Sequence, residues 1–181
     1  MTENKGYLQR YAMLFGTYMG GFWILKFILF PLGFYTPFLL LLFACLTICV
    51  PFMGYYYARM YRNQICGGSI GFLQAWVFTV FMYMFAALLT AVAHYIYFRF
   101  IDQGFIINTY EGLVKEFTRE SAIPGMDVYI TQIEEAISII RTMTPIDITM
   151  QLMSQNVIYG SLLAIPTALI VMKRKRSDVE L

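Results

Sequence analysis

Ionisable side chains are rare inside the apolar runs of this chain, and they are where chemistry would be sought first. A charge at membrane depth is costly, so it faces a partner, a cavity or the interface. Two such residues stand out. Lys26 lies near the end of the first apolar run, and His94 lies eight residues before Asp102 in the third. Arg99, Asp102 and Asp147 flank the same ends, and Gln151, Ser154, Gln155 and Asn156 open the last apolar run. An ammonium with an imidazole and amides suits an anionic head group, because the ammonium neutralises phosphate and the others hydrogen-bond to it. The same residues admit two other readings. Lys26 can snorkel to the interface while His94 is a neutral, hydrogen-bonded bundle residue. Alternatively, the group lines a proton or ion path, which so few helices would build only as an oligomer.

Other reactive groupings are scarce. The chain has one histidine, which excludes a multi-histidine metal site. No G-x-S-x-G, H-E-x-x-H or paired-cysteine motif occurs. Cys45 and Cys49 sit in an apolar run with no acid or histidine beside them, and Cys66 sits in a basic loop. Reduced, packing thiols are expected. Gly67–Gly68–Ser69 reads as a turn with an N-cap, since no lysine follows in Walker spacing. Glu116, Glu120, Glu134 and Glu135 are spaced as solvated helix faces. No catalytic residue, cofactor or metal is expected.

The elements that carry these residues follow from composition. The 181 residues are 59% hydrophobic and 13% charged. A soluble domain is about 45–50% apolar and about 25% charged. Four runs are long enough for a hydrocarbon core that takes about 20 helical residues to cross. They lie near 11–30, 38–57, 72–98 and 150–172. The first ends at Pro31–Leu32–Gly33. It is too long for a signal-peptide core and has no nearby cleavage site, so it is expected to remain as an anchor. The third is over-long and should tilt or project. The expected fold is therefore all-α and polytopic, in one domain, with four transmembrane helices.

Charge orients them. Lys5 and Arg10 precede the first helix, Arg59 and Arg62 follow the second, and Lys173 to Arg176 follow the fourth. The stretch from Arg99 to Asp147 holds four basic and eight acidic residues, a net −4. Positive charge stays inside. Both termini are therefore expected in the cytoplasm, with residues 102–144 outside. There, Ile106, Tyr110, Leu113, Val114 and Phe117 recur at helical spacing, as do Ile130, Ile133, Ala136, Ile137 and Ile140. Pro124–Gly125 divides the runs and Asp127 is placed to cap the second. An amphipathic helical hairpin results, its apolar faces resting on the membrane surface or on the bundle. Thr144, Pro145 and Asp147 mark the start of the last helix. Gly16 and Gly20, with Gly21, give helix one a small-residue face for close packing within the chain or in an oligomer. Tyr55, Tyr56, Tyr57 and Tyr61, and at the other end of helix three Tyr95, Tyr97, Phe98 and Phe100, read as interfacial belts.

Several of these stretches together resemble a known family. They are Ser69 to Ala75 at the opening of helix three, the aromatic exit from Tyr95 to Asp102, the acidic helical segment, Thr144–Pro145, Gly160 in the last helix and the basic tail. The chain resembles the domain of unknown function 4199 family, small four-helix membrane proteins known mainly from Bacteroidetes. The resemblance implies the inner membrane of a Gram-negative bacterium. It also implies a membrane-acting family 2 glycosyltransferase as a candidate neighbour, and no reaction of its own.

The expected function is thus a non-enzymatic accessory or scaffold subunit that docks to another membrane or membrane-surface protein, or forms a homo-oligomer. The alternative is an anionic-lipid-binding or small-solute transport protein using Lys26, His94, Arg99, Asp102, Gln151, Gln155 and Asn156. Membrane lipids are expected partners, and nucleic acid is not.

Overall fold

The computed structural model describes residues 2–120 and 127–173, with side chains for 7–119 and 128–173. The Pro124–Gly125 turn, the Asp127 cap, the side chains of Lys5 and Glu120, and the charges Arg174 to Arg176 lie outside the described residues.

Six α-helices follow in order: α1 Thr2–Gly33, α2 Pro37–Gln64, α3 Phe72–Ile96, α4 Phe105–Glu120, α5 Asp127–Thr142 and α6 Pro145–Val171. A π-helical turn, Tyr97–Ile101, extends α3. Four stretches are long and apolar enough to cross a membrane: Tyr7–Gly33, Pro37–Gln64, Phe72–Ile101 and Pro145–Val171. No strand occurs among the described residues. This is the all-helical, multi-pass membrane architecture expected from composition. Helices are the open-ended solution in lipid because they satisfy every backbone polar group within the segment.

The termini of these helices follow local rules. α1 ends at Gly33 within the breaker cluster, and Pro37 opens α2 from an extended Thr36. At α6, the Thr144 amide donates to Asp147 Oδ2 at 3.0 Å, and the Asp147 amide donates back to Thr144 Oγ1. The Thr144 hydroxyl donates to the same carboxylate. This reciprocal pair satisfies amides that the first turn leaves open. Helix six begins before its apolar run for this reason. Ser69 does not cap α3 as expected. Gly67 and Gly68 take φ of 63° and 84°, Ile70 pairs with Lys173, and the Gly71 carbonyl accepts the first helical bond from Ala75.

The chain forms two compact units: Met1–Thr90 with Met153–Leu181, and Ala91–Leu152. The first holds α1, α2, most of α3 and most of α6. Its core is built around α3, half of whose apolar window is buried against 11% of that of α2. Phe78 stacks on Tyr61 at 4.0 Å and meets Phe15 edge-on, while Phe15 stacks on Tyr57 at 5.1 Å. Such pairs add to the area they bury. Tyr61 is 1% exposed and Tyr57 is half-buried, so both pack in this aromatic cluster. Tyr56, at 60% exposure, faces outward. Thr79 and Thr90, both buried, donate to the carbonyls of Ala75 and Ala86, each at 2.8 Å. Arg62 donates to the Val171 carbonyl at 3.0 Å, satisfying one of the open acceptors at the end of α6.

Glycines decide how closely α3 is approached. A Cβ on Gly16 would lie 2.7 Å from Phe85 Cβ and 2.8 Å from the Met82 carbonyl. On Gly20 it would lie 2.9 Å from Leu89 Cδ2. Both are thus used for contact within the chain, whereas Gly21 faces open space. On the other flanks of α3, Gly54 of α2 and Gly160 of α6 both face Tyr83.

Candidate functional site

The residues singled out at membrane depth divide between the two units. Lys26, Gln155 and Asn156 belong to the first; His94, Arg99, Asp102 and Gln151 belong to the second. In the first unit Lys26 is half-buried, with Nζ 5.2 Å from the centre of the Phe43 ring. This cation–π contact joins α1 to α2. Gln155 and Asn156 are half-buried on α6. The Cys66 thiol, in the loop after α2, accepts a hydrogen bond from Gln74. Burial pushes this thiol up from its ordinary range, against a smaller downward effect from Tyr61, so it stays protonated at neutral pH.

In the second unit His94 is 6% exposed, while Arg99 and Gln151 are exposed. Asp102 is buried and does a structural job. Its carboxylate accepts from the Tyr97 hydroxyl at 3.1 Å, the Gly104 amide at 3.0 Å and the Ile106 amide at 3.2 Å. The last two are open donors at the start of α4. The chain turns there through Gln103 (φ 45°) and Gly104 (φ 86°). The π-helical turn delivers this carboxylate, since the Asp102 amide bonds the Tyr97 carbonyl five residues back. A single extra residue in a helical turn re-aims every side chain after it.

The hairpin α4–α5 places residues that sequence spacing alone did not pair. Arg141, in the last turn of α5, donates to Glu111 at 2.7 Å and to Asn108 at 3.0 Å. Joining the end of α5 to the start of α4 makes the helices antiparallel. This polar seam runs along one side of the hairpin. An adjoining face holds an apolar groove of about 530 Å³, lined by Ile106, Tyr110, Ile133, Ala136, Ile137 and Ile140 among others. That volume lies within the range of about 300–1,000 Å³ usual for small-molecule sites. Beside it, around the turn into α4, is a polar pocket of about 320 Å³. Asp102, Gln103, Asn108 and Arg141 supply its polar lining, and Ile107 lines both spaces. Of the four expected residues in this unit, only Asp102 reaches the pocket.

The helical periodicity announced Ile106, Tyr110, Ile133, Ala136, Ile137 and Ile140 of the groove but not Ile107, Tyr129 or Gln132, and Leu113 and Phe117 of the same pattern are exposed outside it. Nothing local announced Arg141, which is 33 residues from Asn108. Among the described residues no cluster of histidine, cysteine or acidic side chains could hold a metal ion.

No curated protein and no solved structure matches the chain significantly. The family model described as protein of unknown function (DUF4199) matches residues 14–173, so it takes in all of α2 to α6 and most of α1. The chain belongs to this family.

Proposed function

We propose that this chain is a non-catalytic accessory protein of a bacterial inner membrane that engages lipid through an extracytoplasmic helical hairpin. Charge supports the orientation. Arg59, Arg62 and the basic tail favour the cytoplasmic side, and the acidic stretch from Arg99 to Asp147 favours the opposite one.

The observation that carries the lipid reading is the two unlike faces of α4–α5. One face presents the Arg141–Glu111–Asn108 seam, and the adjoining face presents the apolar groove. Both ends of the hairpin continue into helices apolar enough to span, so it is tethered at a membrane surface. With acidic residues in excess, attraction to anionic lipid does not hold it there. Apolar burial does, at about 25 cal/mol per Å² removed from water.

Depth measurement in lipid nanodiscs tests this. In a background with Cys45, Cys49 and Cys66 replaced by alanine, an environment-sensitive probe is placed at Tyr129→Cys in the groove or Ser138→Cys on the seam side. The groove probe should be quenched by a lipid-borne quencher and the seam probe by aqueous iodide. Equal aqueous quenching of both would overturn the reading.

A second reading, docking to a membrane partner such as an envelope glycosyltransferase, is favoured by α2. Phe38, Leu41, Ile48, Phe52 and Tyr56 form an exposed ridge along it. A photocrosslinker at Ile48 should then yield one protein adduct of defined mass, whereas adducts with lipid alone would reject this reading.

A further inference from the structure

The groove and the polar pocket share Ile107 and lie on one hairpin, and their chemistries are complementary halves of an amphiphile. We propose that together they bind one zwitterionic phospholipid, a hydrocarbon chain in the groove and a phosphate–ammonium head group in the pocket. This deepens the lipid reading above and rests on it.

The groove is shaped for a chain. Ile106, Tyr110, Ile133 and Ile140 offer apolar area without a charged side chain among the lining residues. The polar end supplies donors for phosphate oxygens. Arg141 uses one terminal nitrogen for both Glu111 and Asn108, which leaves its remaining N–H groups directed elsewhere. Asn108 accepts from Arg141 through Oδ1, so its amide nitrogen remains a donor, and Gln103 adds another. Guanidinium and amide donors on one rim match phosphate oxygens.

Charge selects the rest of the head group. Arg141 is the cation and Asp102 the carboxylate among the residues lining this pocket, and Arg141 is also ion-paired with Glu111 outside it. The lining therefore carries one charge of each sign before any lipid arrives. A purely anionic head group would satisfy Arg141 but leave the Asp102 carboxylate beside it, whereas a phosphate–ammonium head group matches one charge of each sign. The proposal thus commits to a primary-ammonium phospholipid over an anionic one. Position agrees with this: Phe98, Pro145 and Ile148 also line the pocket, and they lie at the ends of apolar helices, where head groups reside.

Native mass spectrometry of the full chain, released from nanodiscs of equal phosphatidylethanolamine and phosphatidylglycerol with matched chains, tests the proposal. One phosphatidylethanolamine should be retained in about tenfold preference over phosphatidylglycerol. Ile133→Glu, which sets a charge in the groove at an exposed position, should lower retention about tenfold, and Leu113→Glu, exposed but outside the groove, should leave it unchanged. Arg141→Gln should abolish the head-group preference. Preference for phosphatidylglycerol, or equal loss in Leu113→Glu and Ile133→Glu, would overturn the proposal. No retained lipid while the groove probe at Tyr129→Cys is still quenched from the bilayer would overturn the lipid site alone. Failure of both measurements would remove the membrane-contact reading with it.

Discussion

Tyr83 shows how much a single side chain organises. Its ring stacks on Trp23 at 5.9 Å and is flanked by Gly54 and Gly160. A Cβ on Gly160 would lie 2.7 Å from Tyr83 Cβ, closer than real Cβ atoms come. Gly160→Ala should therefore cost about 1–3 kcal/mol through overpacking. Gly21→Ala, with nothing within 4 Å, should cost little and serves as control. Reversible unfolding in mixed micelles measures both, and equal effects would refute the packing account. The Tyr83 hydroxyl is buried without a hydrogen-bond partner among the described residues. An unmet donor in an apolar interior is a liability, so Tyr83→Phe should keep the fold and gain about 1 kcal/mol. A loss of stability would mean that the hydroxyl makes a contact essential to packing.

Among the elements, the turn from α3 into α4 depends on one carboxylate. Asp102 closes the π-helical turn behind it through Tyr97 and caps α4 ahead of it through the amides of Gly104 and Ile106. Replacing such a cap with alanine costs about 0.5–2 kcal/mol. Asp102→Ala should therefore raise hydrogen exchange at the amides of residues 104–108, while α6, with its own Thr144–Asp147 cap, stays protected. Asp102→Asn, which still accepts hydrogen bonds, should retain most of the protection. Unchanged exchange in Asp102→Ala would refute this account of the turn.

For the molecule as a whole, orientation is the property that lipid and charge decide together. In the cysteine-free background, Ser138→Cys should react with a membrane-impermeant maleimide in intact spheroplasts. Gln64→Cys, at the end of α2 beside Arg62, should react only after lysis. The reverse pattern would overturn the proposed topology and, with it, the extracytoplasmic placement of the hairpin. Whatever its orientation, the bundle carries two different surfaces. The apolar exposure of α2 suits lipid or a partner helix, and the seam on α4–α5 suits water.

Composition and periodicity were enough for the number of long apolar helices, the presence of α4 and α5, the end of α1 at Gly33 and the cap of α6. Each depends on bonds between residues a few positions apart, or on a length set by the bilayer, so a short window of sequence contains the cause. Tertiary structure decided what long-range contact controls. It placed Tyr61 in the core while Tyr56, five residues earlier, faces out. It turned Gly16 and Gly20 toward α3 and made Asp102 a cap. It brought Arg141 to Asn108 across 33 residues and Arg62 to Val171 across 109. Lipid-facing and core-facing positions are equally apolar in a membrane helix, so hydrophobicity cannot tell them apart. Only the partner helix does, and the candidate lipid site depends on such a pairing.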